Sequence, residues 1–165
     1  MSTTGPRGQV LRDGSGMRLE FVRTYDDPAA DVWSALTDPA RLERWFGTWS
    51  GDPATGTVQV RSLEEPEGSV GQPATILECV PPHRLALDLP GPDGVWRLSV
   101  ALTESGGVTT LVFTHRLAEP YDASSIGPGW HYYLDRLDAV VAGRAVPEVW
   151  EDYYPALSQA YALPE

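Results

Sequence analysis

Gly127-Pro128-Gly129-Trp130-His131-Tyr132-Tyr133-Leu134-Asp135-Arg136-Leu137-Asp138-Ala139-Val140-Val141-Ala142-Gly143 reads as the one long helix of the chain. Trp130, Leu134, Leu137 and Val141 recur at i, i+4, i+7 and i+11, with Tyr133 and Val140 beside them, which is the apolar stripe of an amphipathic helix. His131, Asp135 and Asp138 form a polar flank. Pro128 and Gly129 break the chain before the run, and Gly143 is placed to cap its end. About fifteen residues rising about 1.5 Å each make a rod of about 20 to 25 Å, long enough to lie across a sheet.

The preceding hundred residues supply that sheet. Trp96, Leu98, Val100 and Leu102 alternate with Arg97, Ser99, Ala101 and Thr103, and a turn at 104–107 returns the chain as a hairpin. In the returning strand Leu111, Phe113, His115 and Leu117 share one face, so His115 lies on the apolar side. Leu85, Leu87 and Leu89 oppose Arg84, Ala86 and Asp88 in the same manner, and 57–63 and 74–80 read as further strands. Near the start, Val10-Leu11-Arg12, a turn at 13–16 and a strand over 17–25 with Met17, Leu19 and Phe21 on one face make another hairpin. Successive turn-linked strands imply an antiparallel sheet with one dry face, covered by the long helix. Between the first hairpin and the later strands, Asp26-Asp27-Pro28 and Thr37-Asp38-Pro39 each set an aspartate N-cap before a proline at the first helical position. They start two short helices whose Val32, Trp33, Leu36, Leu42, Trp45 and Phe46 turn inward. Residues 48–56 form a loop carrying Trp49, and 64–73 an acidic one. Residues 146–153 repeat a short helical pattern around Trp150, and Pro155 begins a last turn with Leu157 and Tyr161.

At 165 residues and 42% hydrophobic content the chain suits one domain, with 1–8 as a flexible N-terminal tail and 9–165 as the folded unit. Twelve basic side chains against 23 acidic give a net charge of -11, which opposes binding to nucleic acid or to an anionic membrane. Cys79 is alone, so an internal disulfide and a cysteine-rich zinc site are excluded and a reducing cytoplasm is the expected compartment. Residues 1–8 carry no apolar run of a signal, and no stretch reaches the length of a membrane span, so no membrane insertion is expected.

The order of strand, two short helices, several antiparallel strands and a long C-terminal helix resembles the helix-grip fold of the START-like or SRPBCC superfamily. Asp27-Pro28, then Val32-Trp33-Ser34-Ala35-Leu36-Thr37-Asp38-Pro39, then Leu42-Glu43-Arg44-Trp45-Phe46 is similar to the P-x-x-x-V-W-x-A-L-T-D-P-x-x-L-x-x-W-F signature of the branch named after activators of the heat-shock protein 90 ATPase. Gly129-Trp130 with Leu134 and Leu137 resembles that branch's G-W-x-x-x-L-x-x-L run. The resemblance spans about residues 10 to 162. It implies an α+β fold in which a curved antiparallel sheet grips the helix without filling the space between them. Its members include lipid and hormone carriers, polyketide cyclases, plant lyases and chaperone partners, so the fold alone leaves the activity open.

Chemistry-bearing residues are sparse. His83, His115 and His131 are far apart in sequence, and His131 with Asp135 at i, i+4 reads as a surface ion pair, so neither metal nor cofactor is expected. No glycine-flanked serine elbow appears, and Cys79 sits in an ordinary strand pattern. What remains is an apolar pocket with few polar points. Its candidate ligand-binding residues are Trp45, Phe46, Trp49, Trp96, Phe113, His115, Trp130, Tyr133, Leu134 and Leu137, and His115 is the one catalytic candidate. A hydrophobic or aromatic small molecule is the expected partner, bound without chemistry. A cyclase, dehydratase or hydrolase moving protons at His115, aided by a tyrosine or Arg97, is the alternative. A chaperone ATPase regulator is the second. Exposed aromatics near Trp49 or Trp150 could equally pair two subunits in a homodimer.

Overall fold

Residues 8–14, 16–62, 71–91, 94–117, 126–154 and 156–161 are described by the computed structural model. Strands β1 (Gln9–Asp13) and β2 (Gly16–Tyr25) are followed by helices α1 (Ala29–Thr37) and α2 (Pro39–Leu42). Strands β3 (Gly47–Ser50), β4 (Thr57–Ser62), β5 (Gln72–Val80), β6 (Arg84–Gly91), β7 (Gly94–Ser105) and β8 (Val108–Leu117) come next, and helix α3 (Ile126–Ala142) closes the series. All eight strands form one antiparallel sheet in the order β1-β2-β8-β7-β6-β5-β4-β3. This is the START-like helix-grip architecture.

Register explains why the inner face is continuous. Leu19 opposes His115, which opposes Leu98, which opposes Leu87; one row along, Phe21, Phe113, Val100 and Leu85 stand opposite one another in turn. Side chains two apart share a face, so both rows point toward α3. Leu134 and Leu137 are buried against this face together with Phe21, Leu111 and Phe113.

Several local expectations shift. Gly127, Pro128 and Gly129 do not interrupt the chain ahead of α3 but form its first turn, where proline's missing N–H has no intrahelical partner to lose. Glycine at 127 is required by close approach, since a Cβ there would stand 2.2 Å from Tyr161 Cγ. Gly143 ends the helix at φ +70°, with Gly143 N–H donating to Val140 O and Arg144 N–H to Ala139 O, the paired bonds of a Schellman motif. At α2 the Asp38 carboxylate caps Ala40 N–H at 3.0 Å. At α1, however, Asp27 is not the cap: the helix begins at Ala29, and the Glu104 carboxylate from the β7–β8 hairpin accepts from Ala29 N–H at 2.6 Å. A long-range partner has taken the place of the local one. Trp49 lies on β3 rather than in a loop, and residues 146–153 contribute only a 3-10 turn at Trp150–Asp152. Of the tail at 1–8 only Gly8 is described, its N–H donating to the Tyr161 hydroxyl at 2.9 Å; Pro155, residue 63 and residues 64–70 of the acidic loop lie outside the described residues, while Gln72 and Pro73 of that loop belong to β5.

The polar flank of α3 is the largest departure. His131 is fully buried and Asp135 nearly so, because β2 and the C-terminal segment cover that side of the helix. His131 is therefore no surface ion pair. Its Nδ1 lies 2.9 Å from the Tyr161 hydroxyl and its Nε2 3.7 Å from Asp135 Oδ2. Arg23, inward at the next alternate position after Phe21, donates to Asp135 Oδ1 at 2.8 Å and also to Asp138. Tyr25 donates to Asp138 at 2.7 Å and Tyr153 to Asp135 at 2.7 Å. Burial disfavours charge on Arg23, but Asp138 and Asp135 outweigh it and raise its pKa; burial likewise raises the Asp138 carboxyl against the pull of Arg23.

Candidate functional site

Between the inner face of β4–β8 and the helices lies a cavity of about 220 Å³. Val58 and Val60 of β4, Leu85, Leu87 and Leu89 of β6, and Leu98 and Val100 of β7 form its aliphatic wall. Trp45, Phe46, Trp49, Phe113 and Trp130 form the aromatic one, with Leu134 between them. Phe46 stacks nearly parallel to Trp130, centroids 5.9 Å apart, and Phe113 meets Trp130 at 4.7 Å. Leu98, Phe113, Trp130 and Leu134 are buried at the inner end, whereas Pro53 and Cys79 are exposed and mark the mouth.

Cys79 reaches this lining through an irregularity. Ile76 pairs with Leu87 and Cys79 with Leu85, with the register slipping at Leu77, so residues three apart point the same way. A β-bulge does this by adding one residue to a strand, and here it leaves Leu77, 47% exposed, and Glu78 both outward and returns Cys79 to the inner side.

Six of the ten residues expected at a ligand, Trp45, Phe46, Trp49, Phe113, Trp130 and Leu134, stand together on the lining. Trp96, His115, Tyr133 and Leu137 stand behind it. Leu137 is in the solid core, Tyr133 meets Phe46 edge-on at 5.1 Å, and Trp96 packs on His115 at 4.8 Å. The aliphatic wall on β4 to β7 is the part that a search for aromatics and histidines passes over; the alternating leucines of β6 and β7 were its signal.

His115 is screened from the cavity by Trp130, whose Nε1–H donates to His115 Nδ1 at 3.1 Å. An indole N–H can only donate, so Nδ1 carries the lone pair and the neutral ring holds its proton on Nε2. Burial lowers its pKa to about 4, which keeps that form at neutral pH. The lone pair a general base would need is occupied. Arg136 plays a positioning part: its guanidinium donates to Trp45 O at 3.0 Å and Pro147 O at 2.6 Å, tying the Trp45–Phe46 turn and the C-terminal segment to α3. Among the described residues no group of three His, Cys, Asp or Glu side chains could hold a metal ion, and no helix is long and apolar enough to cross a membrane.

Residues 26–142, from the end of β2 through α3, match the family model of the Activator of Hsp90 ATPase homolog 1-like protein. The chain belongs to that family. The match takes in α1, α2, the later strands and α3, hence both walls of the cavity. Among solved structures, this family member is similar to CalU16 from Micromonospora echinospora at 26% identity and TM-score 0.74, over 97% of this chain and 96% of that one. The protein encoded by gene BPP1335 from Bordetella parapertussis matches at 26% identity and TM-score 0.70, over 97% and 94%. The Aha1 dimer from Colwellia psychrerythraea shares the fold at 20% identity and TM-score 0.61, over 78% of this chain and 98% of that one. No curated protein matches the sequence.

Proposed function

We propose that this family member is a single START-like domain that binds a hydrophobic or aromatic small molecule between sheet and α3, without catalysing a reaction on it. The observation that carries the reading is the cavity of about 220 Å³ with an apolar wall on both sides. Apolar concavities of this kind favour apolar guests because binding removes carbon surface from water at both partners. Support for binding without catalysis is that His115, the one catalytic candidate, stands behind Trp130 with its Nδ1 lone pair engaged. A reducing cytoplasm suits the exposed single thiol of Cys79. Titration with 1-fluoronaphthalene followed by fluorine NMR tests the reading: saturable one-to-one binding is expected, and a linear, unsaturable response refutes it.

A second reading is favoured by the family description and by the dimeric Aha1 relative: contact with a chaperone ATPase or with a second copy. Chaperone ATPase rate with and without the protein, and its mass in solution, separate this reading from the first.

A further inference from the structure

The polar atoms around the cavity narrow what it can take. All three tryptophans of the lining have their indole N–H groups turned back into the protein. Trp45 Nε1 donates to Ala35 O at 2.9 Å, Trp49 Nε1 to Thr37 O at 2.7 Å, and Trp130 Nε1 to His115 Nδ1 at 3.1 Å. The Thr37 hydroxyl donates to Trp33 O at 2.8 Å. Ser99 falls one place out of phase with Leu98 and Val100, which assigns its side chain to the other face of the sheet. No carboxylate, imidazole, guanidinium or ammonium group stands among the described lining residues, and the Cys79 thiol lies at the exposed end. The inner wall therefore presents carbon to a guest and offers it no N–H or O–H.

We infer that the cavity selects a neutral aromatic or hydrocarbon group of about one fused bicycle, free or as the end of a larger molecule, inserted with its unsubstituted end toward Phe113, Trp130 and Leu134. Size follows from volume: an apolar cavity of about 150 Å³ accepts benzene, so one of about 220 Å³ accommodates roughly nine or ten non-hydrogen atoms. Orientation follows from exposure, because a polar substituent keeps its water only at the Pro53–Cys79 end. A hydroxyl carried to the inner end loses its hydrogen bonds to water and finds no replacement, which weakens binding by about tenfold or more. The inference rests on the cavity reading above and adds polarity and direction to it.

Competition against 1-fluoronaphthalene by fluorine NMR, with naphthalene, 2-naphthol and 2,6-dihydroxynaphthalene as competitors, tests it. The diol carries a hydroxyl at both ends, so one must enter whichever way it turns. Naphthalene and 2-naphthol are expected to compete within about threefold of each other, and the diol about tenfold more weakly. A diol that binds as tightly as 2-naphthol overturns the inference and leaves the cavity reading intact. Failure of 1-fluoronaphthalene itself to bind overturns the cavity reading, and the inference with it.

Discussion

Lowering the pH should reach the cavity wall through His115, which stands behind it. The ring is buried and its pKa is lowered to about 4 from an ordinary value of 6.5. Below pH 6.5 the unfolded chain takes up a proton at this position that the folded chain refuses, so stability is lost as the pH falls and the loss levels off below about 4. At about 1.36 kcal/mol per unit, the contribution lost is about 2 kcal/mol by pH 5 and about 3 kcal/mol by pH 4. Urea unfolding of the wild type and of His115→Gln between pH 7 and pH 4 isolates it, because the other groups titrate in both proteins. The difference in unfolding free energy between them should shrink by that amount over the range. Protonation of the folded ring also removes the acceptor for Trp130 Nε1, so affinity for a cavity ligand should hold down to about pH 5 and fall as the pH approaches about 4. A pH-independent difference, or an NMR titration of His115 with its midpoint near 6.5, would refute the reasoning.

Arg23→Met leaves the Asp135 and Asp138 carboxylates without the cation between them, and should cost about 3 to 5 kcal/mol in urea unfolding at pH 7. The triple variant Arg23→Met, Asp135→Asn, Asp138→Asn should recover much of that loss; an unrecovered loss would show the cluster is held by something other than charge pairing. Glu104→Ala removes the cap on Ala29 N–H and should cost about 1 kcal/mol, read as a lower urea midpoint with unchanged slope.

Where the chain spoke plainly, one physical pattern dominated. Strict alternation in β6, β7 and β8 set the inner face, and the stripe of Trp130, Leu134 and Leu137 set the helix that covers it. The bulge at Leu77 was not legible, since a one-residue slip leaves no mark in composition, and it alone brings Cys79 to the cavity mouth. The buried flank of α3 was misread for a different reason. His131, Asp135 and Asp138 have the spacing of a wet face, and only Arg23 from β2 and Tyr153 and Tyr161 from the distant C-terminal segment make it a dry one. The Glu104 cap of α1 belongs to the same class of long-range partner. His115 lay on the apolar face as its alternation required, yet its relation to Trp130 depends on how α3 docks.

The most direct test of the account is a crystal soaked in 1-bromonaphthalene, with the anomalous signal of bromine located. The account predicts one bromine site inside the sheet–helix cavity, between its inner end at Leu98, Phe113 and Trp130 and its mouth at Pro53 and Cys79. A continuous wall of side chains there, with no bromine among them, would contradict it.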